Sequence, residues 1–364
     1  STLREGEQTP GVVFSERLRR TLISGLCRVG IDEIELGVAS PVHGYLPKLV
    51  ADARRLTKGA CRLALWCRCL EEDITFAATC RPDVLALSIP VSDAHIRERL
   101  GKDRRQVRQG LGQAVRQALG LGIAYVSVGL EDASRADLSF VLDMAGVAQQ
   151  HGASRVRLAD TVGICSPGTI RELVVAVQGA VHIEVGVHCH NDFGMATANS
   201  IAALEAGANC LDATVLGLGE RAGNCRLEEA VGFLALARGH EQYRTEFLPA
   251  LCREVAEATG RAIAANHPLI GPEIFTCESG LHQHGLFVNP SIYEPYAPER
   301  VGSARTLRFG GKTGRRAVSM LLEQQGLQLD EGQLGGLLRR IRSVGQALTE
   351  QQVLCAAHEG LQRE

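Results

Sequence analysis

Glu-Val-Gly-Val-His-Cys-His-Asn-Asp, residues 184–192, is the stretch on which the reading of this chain turns. Its opening half is β-rich and predicts a strand over Glu184 to His188. Side chains alternate across a strand, so Val185, Val187 and Cys189 share one face while Glu184, Gly186, His188 and His190 share the other. Both imidazoles can then meet one ion, and Gly186 leaves room beneath them. A lone His-x-His is weak, because paired core or surface histidines are common. The strand-end Asn191-Asp192 and the carboxylate of Glu5, in the opening run Thr2 to Pro10, strengthen it into a candidate metal site. Two neutral imidazoles and one carboxylate leave coordination positions open, which suits catalysis rather than structure; Mg²⁺, Mn²⁺ and Zn²⁺ are all compatible with such donors.

Working outward, similar β-rich runs recur roughly every 30 residues, each followed by helical spacing. The predicted strands are Glu33 to Val38, Arg62 to Trp66, Val84 to Ile89, Tyr125 to Gly129, Val156 to Ala159, Glu184 to His188 and Leu211 to Val215. A truncated first strand at the chain start makes eight. Helices are predicted over Glu16 to Val29, Ala94 to Leu121, Arg135 to His151, Pro167 to Ala180 and Met195 to Ala206. That alternation is the count of a (β/α)8 TIM barrel, an α/β fold, here assigned to residues 1–243. A doubly wound open sheet would carry GxGxxG after its first strand, and none is there. The barrel takes about 240 of the 364 residues. Residues 244–300 read as linker and lid and 301–364 as a mostly helical C-terminal subdomain.

In such a barrel the polar residues fall at the C-terminal ends of strands, the face used for chemistry. Arg4, Glu5, Glu35, Ser88, Ser92, Glu131, Asp160, Thr161, His188, His190 and Thr214 all lie there. Glu35 alternates with Ile34 and Leu36 and so faces inward, where a carboxylate needs a partner or a task. Arg4 is the obvious partner for an ion pair; alternatively Arg4 steadies developing negative charge while Glu35 handles protons. Gly217 to Asn224 is a glycine-rich turn entering a helix, suited to close approach of an anionic ligand or simply a tight turn. Gly310 to Gly314 imitates the end of a phosphate-binding loop but lacks its first glycine, at Thr306. Phe275 to Tyr296, dense in polar and aromatic side chains, reads as a lid.

Thirty-nine basic and 41 acidic residues leave a formal charge of −2, which argues against a nucleic-acid or anionic-membrane partner. Hydrophobic residues, at 45%, suffice for a large core, yet no run is long enough to span a bilayer and no signal-type start is present. The expectation is a soluble cytoplasmic protein. Its 12 cysteines form no disulfide framework and read as reduced thiols.

The motifs Thr2 to Gln8, Ile34-Glu35-Leu36, Asp160-Thr161-Val162-Gly163, His188 to Asp192, Gly217 to Asn224 and Gly280-Leu281-His282 together resemble the homocitrate synthase and isopropylmalate synthase family of acyl-CoA condensing barrels. The likeness spans nearly the whole chain. Trp66-Cys67-Arg68, Glu131 to Arg135 and Gly194 to Asn199 most resemble the homocitrate synthases that serve nitrogenase iron-molybdenum cofactor synthesis. The resemblance implies that Glu5, His188 and His190 bind the divalent metal with Asn224 contributing, and that acetyl-CoA is condensed with 2-oxoglutarate. It implies that Arg4 contacts the oxo-acid oxygen, that Gln8 and Thr161 hold its carboxylates, and that Ser92 and Glu131 line the pocket for its far end. It makes Glu35 with His282 manage the acetyl methyl proton, His282 and Tyr293 arriving on a lid that reaches across a homodimer. 2-Oxoisovalerate or pyruvate as acceptor, giving isopropylmalate or citramalate synthesis, is the alternative; an acyl-CoA lyase on the same barrel is a further one. The chain departs from the family at Cys277, where His is usual, and at Gly311-Lys312-Thr313-Gly314, where Gly-Lys-His-Ser-Gly is frequent. Lysine-pathway members carry an Arg near Ser127, so the distal carboxylate of 2-oxoglutarate needs another cation here, for which Arg68 and Arg135 are the expected candidates.

Overall fold

In a computed structural model describing residues 1–361, seven parallel strands follow one another around a single curled sheet in chain order. They are β1 (Glu33–Val38), β2 (Arg62–Arg68), β3 (Val84–Pro90), β4 (Val126–Glu131), β5 (Arg155–Asp160), β6 (Glu184–Cys189) and β7 (Cys210–Leu211). Their cause is visible in the runs themselves: Leu36, Leu65, Leu87, Val128, Leu158 and Val187 are each fully buried. Each such side chain stabilises the fold by about 1.5–3 kcal/mol. Around the sheet run α1 (Glu16–Val29), α2 (Leu46–Thr57), α3 (Glu71–Cys80), α4 (Arg104–Gly120), α5 (Leu138–Gln150), α6 (Pro167–Gln178), α7 (Ala196–Glu205), α8 (Leu227–Gly232) and α9 (Leu248–Thr259). The architecture is the α/β barrel expected.

Helix α1 shows how local chemistry sets the bounds. Ser15 caps it, its Oγ accepting from the Leu18 amide at 3.2 Å, and Gly30 ends it at φ 93°. Between them Leu22, Ile23, Leu26 and Val29 form the buried stripe.

Three expectations are corrected. First, no strand forms at the chain start. Residues 2–5 form a turn and Gly6–Gln8 a 3-10 turn, with the Ser1 amino group donating to Ala213 O at 2.9 Å and its Oγ bonded to Glu35. The segment lies between the C-terminal ends of β7 and β1, which are the two edges of the sheet. Second, the helix expected over Ala94 to Leu121 is broken. A π turn covers His95–Arg99, Gly101 adopts φ 60°, and α4 restarts on a capping box in which Asp103 and Gln106 satisfy each other's backbone. Third, the strand expected over Leu211 to Val215 stops at Leu211. The Thr214 hydroxyl turns back to donate to Leu218 O at 2.6 Å, and a 3-10 turn follows.

The chain divides into two units, Ser1–Ala262 and Ile263–Glu364. The second holds β8 (Thr276–Cys277), α10 (Gly280–Val288), β9 (Thr306–Phe309), α11 (Arg315–Gln324), α12 (Glu331–Ser343), β10 (Leu348–Thr349) and α13 (Glu350–Leu361). It is mostly helical, as expected from Gly314 onward, with its own core of Phe309, Leu321, Ile341 and Val353. The small sheet, ordered β10-β9-β8, rests on strands too short to read from periodicity. Within Gly310 to Gly314, Thr313 Oγ1 accepts from the Gly310 amide at 2.8 Å, and the Arg342 guanidinium donates to Thr313 O at 2.8 Å. That turn links β9 to α11. Among the described residues no helix is long and apolar enough to cross a membrane.

Candidate active site and metal centre

His188 sits near the end of β6 and His190 just beyond it, where the alternation of the strand turns both rings to one side. Their Nε2 atoms are 3.2 Å apart, and the rings stand 5.0 Å between centroids at 72°. Glu5 Oε1 lies 3.9 Å from His188 Nε2 and 3.6 Å from His190 Nε2. Among the described residues these three are the one group placed to hold a metal ion, each offering a ligand atom within 4.8 Å of the others. All three are buried.

The donor set fits a divalent cation. Burial lowers the pKa of His188, and that of His190 to about 3 with help from the neighbouring His188, so both imidazoles are held in the neutral, ligating form. His188 Nδ1 is hydrogen-bonded to Asp212 Oδ2 at 2.9 Å, which leaves Nε2 for the ion. Asn224 is bridged through its backbone to His190; its Nδ2 donates to Leu218 O at 2.9 Å while Oδ1 is a buried acceptor without a partner. The carboxylates of Glu5, Glu35 and Asp212 outnumber the guanidinium groups of Arg4 and Arg157 that face them.

Arg4 spans two acids, with Nη1 on Glu5 and Nε on Glu35 at 2.7 Å; its guanidinium lies 5.5 Å over the Trp66 ring, and its Nη2 is buried without a partner. Burial alone would raise the pKa of Glu35, but Arg4 and Arg157 outweigh it and hold the carboxyl down to about 2. The ion-pair reading of Arg4 and Glu35 is therefore realised, beside a free donor directed by the same guanidinium plane.

The other nominated residues fall in several places. Thr161 Oγ1 accepts from the Asp132 amide at 2.9 Å, and Asp160 is committed to the amides of Ile164 and Cys165 at 3.1 and 2.9 Å. Asp160 thus shapes the turn that carries Thr161. Ser88 Oγ donates to Glu131 Oε1 at 2.7 Å, and Arg99 pairs with the other oxygen of Glu131. Ser92 is buried at the start of the following helical turn, where its Oγ accepts from the His95 amide at 3.4 Å. Gln8 is exposed at the end of the first 3-10 turn. His282 and Tyr293 belong to the second unit, where their rings lie 4.3 Å apart. Arg68 and Arg135 are both clamped by fully buried carboxylates, Asp73 and Asp132 respectively.

Asp212, Arg157 and Arg221 are residues that the sequence reading did not single out. Arg221 grips Asp192 with two bonds of 2.8 and 3.0 Å and donates to Thr161 O at 2.7 Å, tying the glycine-rich loop to the loops after β5 and β6. The alternation of Arg155 and Arg157 with Val156 and Leu158 was the available signal for an inward Arg157. A cavity of about 810 Å³ opens between β1 and β7, with Glu33, Glu35, Arg155, Arg157 and Asp212 among its walls. Those walls do not include Glu5, His188 or His190; they run from the gap between the sheet edges out to Leu26 of α1, Leu204 of α7 and Val231 of α8, so the cavity is distinct from the metal centre.

A barrel with a Glu-His-His centre at the strand ends defines a metal-assisted enzyme class. Residues 1–255 match the HMGL-like family model and residues 269–349 the model described as homocitrate synthase post-HMGL domain-like, so the chain belongs to the HMGL-like family and is an enzyme. It is 39% identical to a homocitrate synthase of Frankia alni, covering 90% of this chain and 92% of that one. It is also 39% identical to a 2-isopropylmalate synthase of Caldanaerobacter subterraneus, covering 94% and 89%. A 2-phosphonomethylmalate synthase of Streptomyces rubellomurinus is 35% identical over 97% of this chain and 95% of its own. Among solved structures, the HMG-CoA lyase of Bacillus subtilis overlays with a TM-score of 0.65 at 19% identity, covering 72% of this chain and 93% of that one, which supports the fold alone.

Proposed function

We propose that the chain is a homocitrate synthase, joining acetyl-CoA to 2-oxoglutarate in a metal-dependent Claisen-type condensation and hydrolysing the resulting thioester to homocitrate and CoA. The observation that carries this reading is the convergence of Glu5, His188 and His190 beside Arg4, whose Nη2 has no protein partner. The homocitrate synthase relatives of Frankia alni and Nostoc, each at 39% identity, support the choice of acceptor. The role in nitrogenase cofactor synthesis is proposed on the motif resemblance.

A divalent ion held by Glu5, His188 and His190, with Asn224 beside them, would supply Lewis acidity toward the 2-oxo group. The remaining work falls to side chains. Arg4 Nη2 donates to the ketone oxygen and opposes the negative charge that grows there. Glu35, kept ionised, fixes the guanidinium in that orientation through Nε. His282, oriented by Tyr293, takes the proton from the acetyl methyl group. The resulting enolate carbon bonds to the ketone carbon, the alkoxide takes up a proton, and water then cleaves the thioester to release the thiol. Gln8 and Thr161 bind carboxylate oxygens. The same reading makes the molecule a homodimer in which the second unit serves a partner's barrel, a state that light scattering reports directly.

The 2-isopropylmalate synthase relative at equal identity favours a second reading, with 2-oxoisovalerate or pyruvate as acceptor. The discriminating experiment is thiol release from acetyl-CoA, after chelation and readdition of Mg²⁺ or Mn²⁺, with the three oxo acids side by side. Metal-dependent release with 2-oxoglutarate alone is expected. Release driven by another acid moves the specificity, and release with none removes the condensation reading.

A further inference from the structure

Beneath His188 lies a cation whose hydrogen-bonding capacity is not taken up. Arg157 is 6% exposed; its Nη1 lies 2.7 Å from Asp212 Oδ2 and 3.5 Å from Glu35 Oε1, while Nη2 has no partner among the described residues. Other arginines of the barrel strands and their loops are committed: Arg68 to Asp73, Arg99 to Glu131, Arg135 to Asp132 and Arg155 to Glu33. The sheet register places Arg157 beside Gly129 on one side and Gly186 on the other, with Ser88 next to Gly129. In a parallel sheet paired residues turn to the same face, so these four form one layer, two residues below His188 and Glu131 on their respective strands. Both neighbours of Arg157 lack side chains.

A Cβ built on Gly129 would stand 3.6 Å from Arg157 Nη2 and 3.4 Å from Ser88 Oγ. The space over Gly129 is thus bounded by a guanidinium nitrogen from β5 and, from β3, the Ser88 hydroxyl and the Leu87 carbonyl oxygen at 3.4 Å, and the guanidinium is the donor a carboxylate selects. Ser88 Oγ donates its proton to Glu131 Oε1, which joins this layer to a residue assigned above to the far end of the acceptor. We propose that Arg157 Nη2, across Gly129 from Ser88, binds the second carboxylate of a dicarboxylic 2-oxo acid, the Ser88 hydroxyl turning from Glu131 to donate beside it. Arg157 is then the specificity-determining residue that Arg68 and Arg135, both clamped, cannot be. The assignment rests on the condensation reading for the identity of its ligand.

The test is calorimetry on the full Mn²⁺-loaded chain, titrated with 2-oxoglutarate and, separately, with 2-oxobutyrate, which lacks the second carboxylate. Two variants are compared with the wild type. Arg157→Lys keeps the charge between Glu35 and Asp212 but loses the planar fork. Gly129→Ala puts a methyl group into that space at ordinary contact distances and leaves every charge in place. Both are expected to weaken 2-oxoglutarate about tenfold or more while 2-oxobutyrate stays within about twofold of wild type. Equal weakening of both acids, unchanged 2-oxoglutarate binding, or a wild type that does not bind 2-oxoglutarate would each overturn the assignment. Thiol release is measured on the same samples to separate the two claims. Selective weakening in a wild type that releases no thiol upholds the carboxylate site and removes the condensation reading. Release without selective weakening does the reverse.

Discussion

Asp212 reaches the candidate metal centre without being one of its ligands. Its Oδ2 bonds His188 Nδ1 at 2.9 Å and pairs with Arg157 at 2.7 Å, so a single carboxylate sets the tautomer of a ligand and is itself held in place. Although burial opposes ionisation, Arg157 and His188 keep its pKa below the ordinary Asp value. Asp212→Asn retains the shape and loses the charge; calorimetry should show Mn²⁺ affinity lowered about 10- to 100-fold. Thermal unfolding without metal should shift far less than it does for His188→Ala with metal present. Glu5, His188 and His190 were legible in the sequence because few residue types ligate metals and strand alternation puts two of them together. Asp212 was not, because its role arises from the pairing of β7 with β6, and an acid at a strand end has many uses. Arg68 and Arg135 illustrate the opposite error. Both looked available as cations, and both prove tied to buried acids a few residues away in their own chain segments.

At the scale of elements, the glycine-rich loop after β7 decides where Asn224 stands. Gly217, Gly219 and Gly223 adopt φ of 65°, 156° and 88°, a region that other residues enter only with strain. A Cβ on Gly223 would run into the carbonyl oxygen of Gly217, and that same carbonyl accepts from the Asn224 amide at 3.0 Å. The carbonyl of Gly223 in turn receives the Asn191 amide at 2.9 Å, next to His190. Gly223→Ala should therefore cost about 1–3 kcal/mol in backbone strain alone and weaken metal binding as well. Differential scanning calorimetry with and without Mn²⁺ checks both; an unchanged midpoint and an unchanged metal-dependent shift would contradict it. Elements with a long period were readable: α1 and β1 fall at their predicted bounds, because capping and amphipathic spacing agree there. The elements that were misread were broken by local side-chain bonds, Asp103 restarting α4 and Thr214 ending β7, which periodicity averages away.

Over the whole molecule, the first unit buries an acid that makes its stability depend on pH. Glu228, on α8, is fully buried and accepts from the Leu216 amide at 2.9 Å. Burial, outweighing its backbone hydrogen bonds, raises its pKa from 4.5 to about 7. Because the folded value lies above the unfolded one, its contribution is complete below pH 4.5 and is lost as pH rises through about 7. Glu228→Gln should remove that slope, leaving the variant relatively more stable at pH 8 than at pH 5 by at most about 3 kcal/mol. Urea unfolding of both proteins at the two pH values reports the difference directly, and parallel shifts in both would contradict it. The barrel was legible at this scale because its cadence repeats so often that one predicted strand that does not form does not hide it. The small sheet of the second unit was not, since two of its strands are two residues long. The central claim concerns a carbon–carbon bond, and product analysis tests it most directly. Acetyl-CoA carrying ¹³C in its methyl group is incubated with 2-oxoglutarate and the Mn²⁺-loaded protein, and the products are weighed by mass spectrometry. The account predicts homocitrate with the label in a new methylene group and one CoA released per molecule formed. Labelled acetate beside unconsumed 2-oxoglutarate would contradict it.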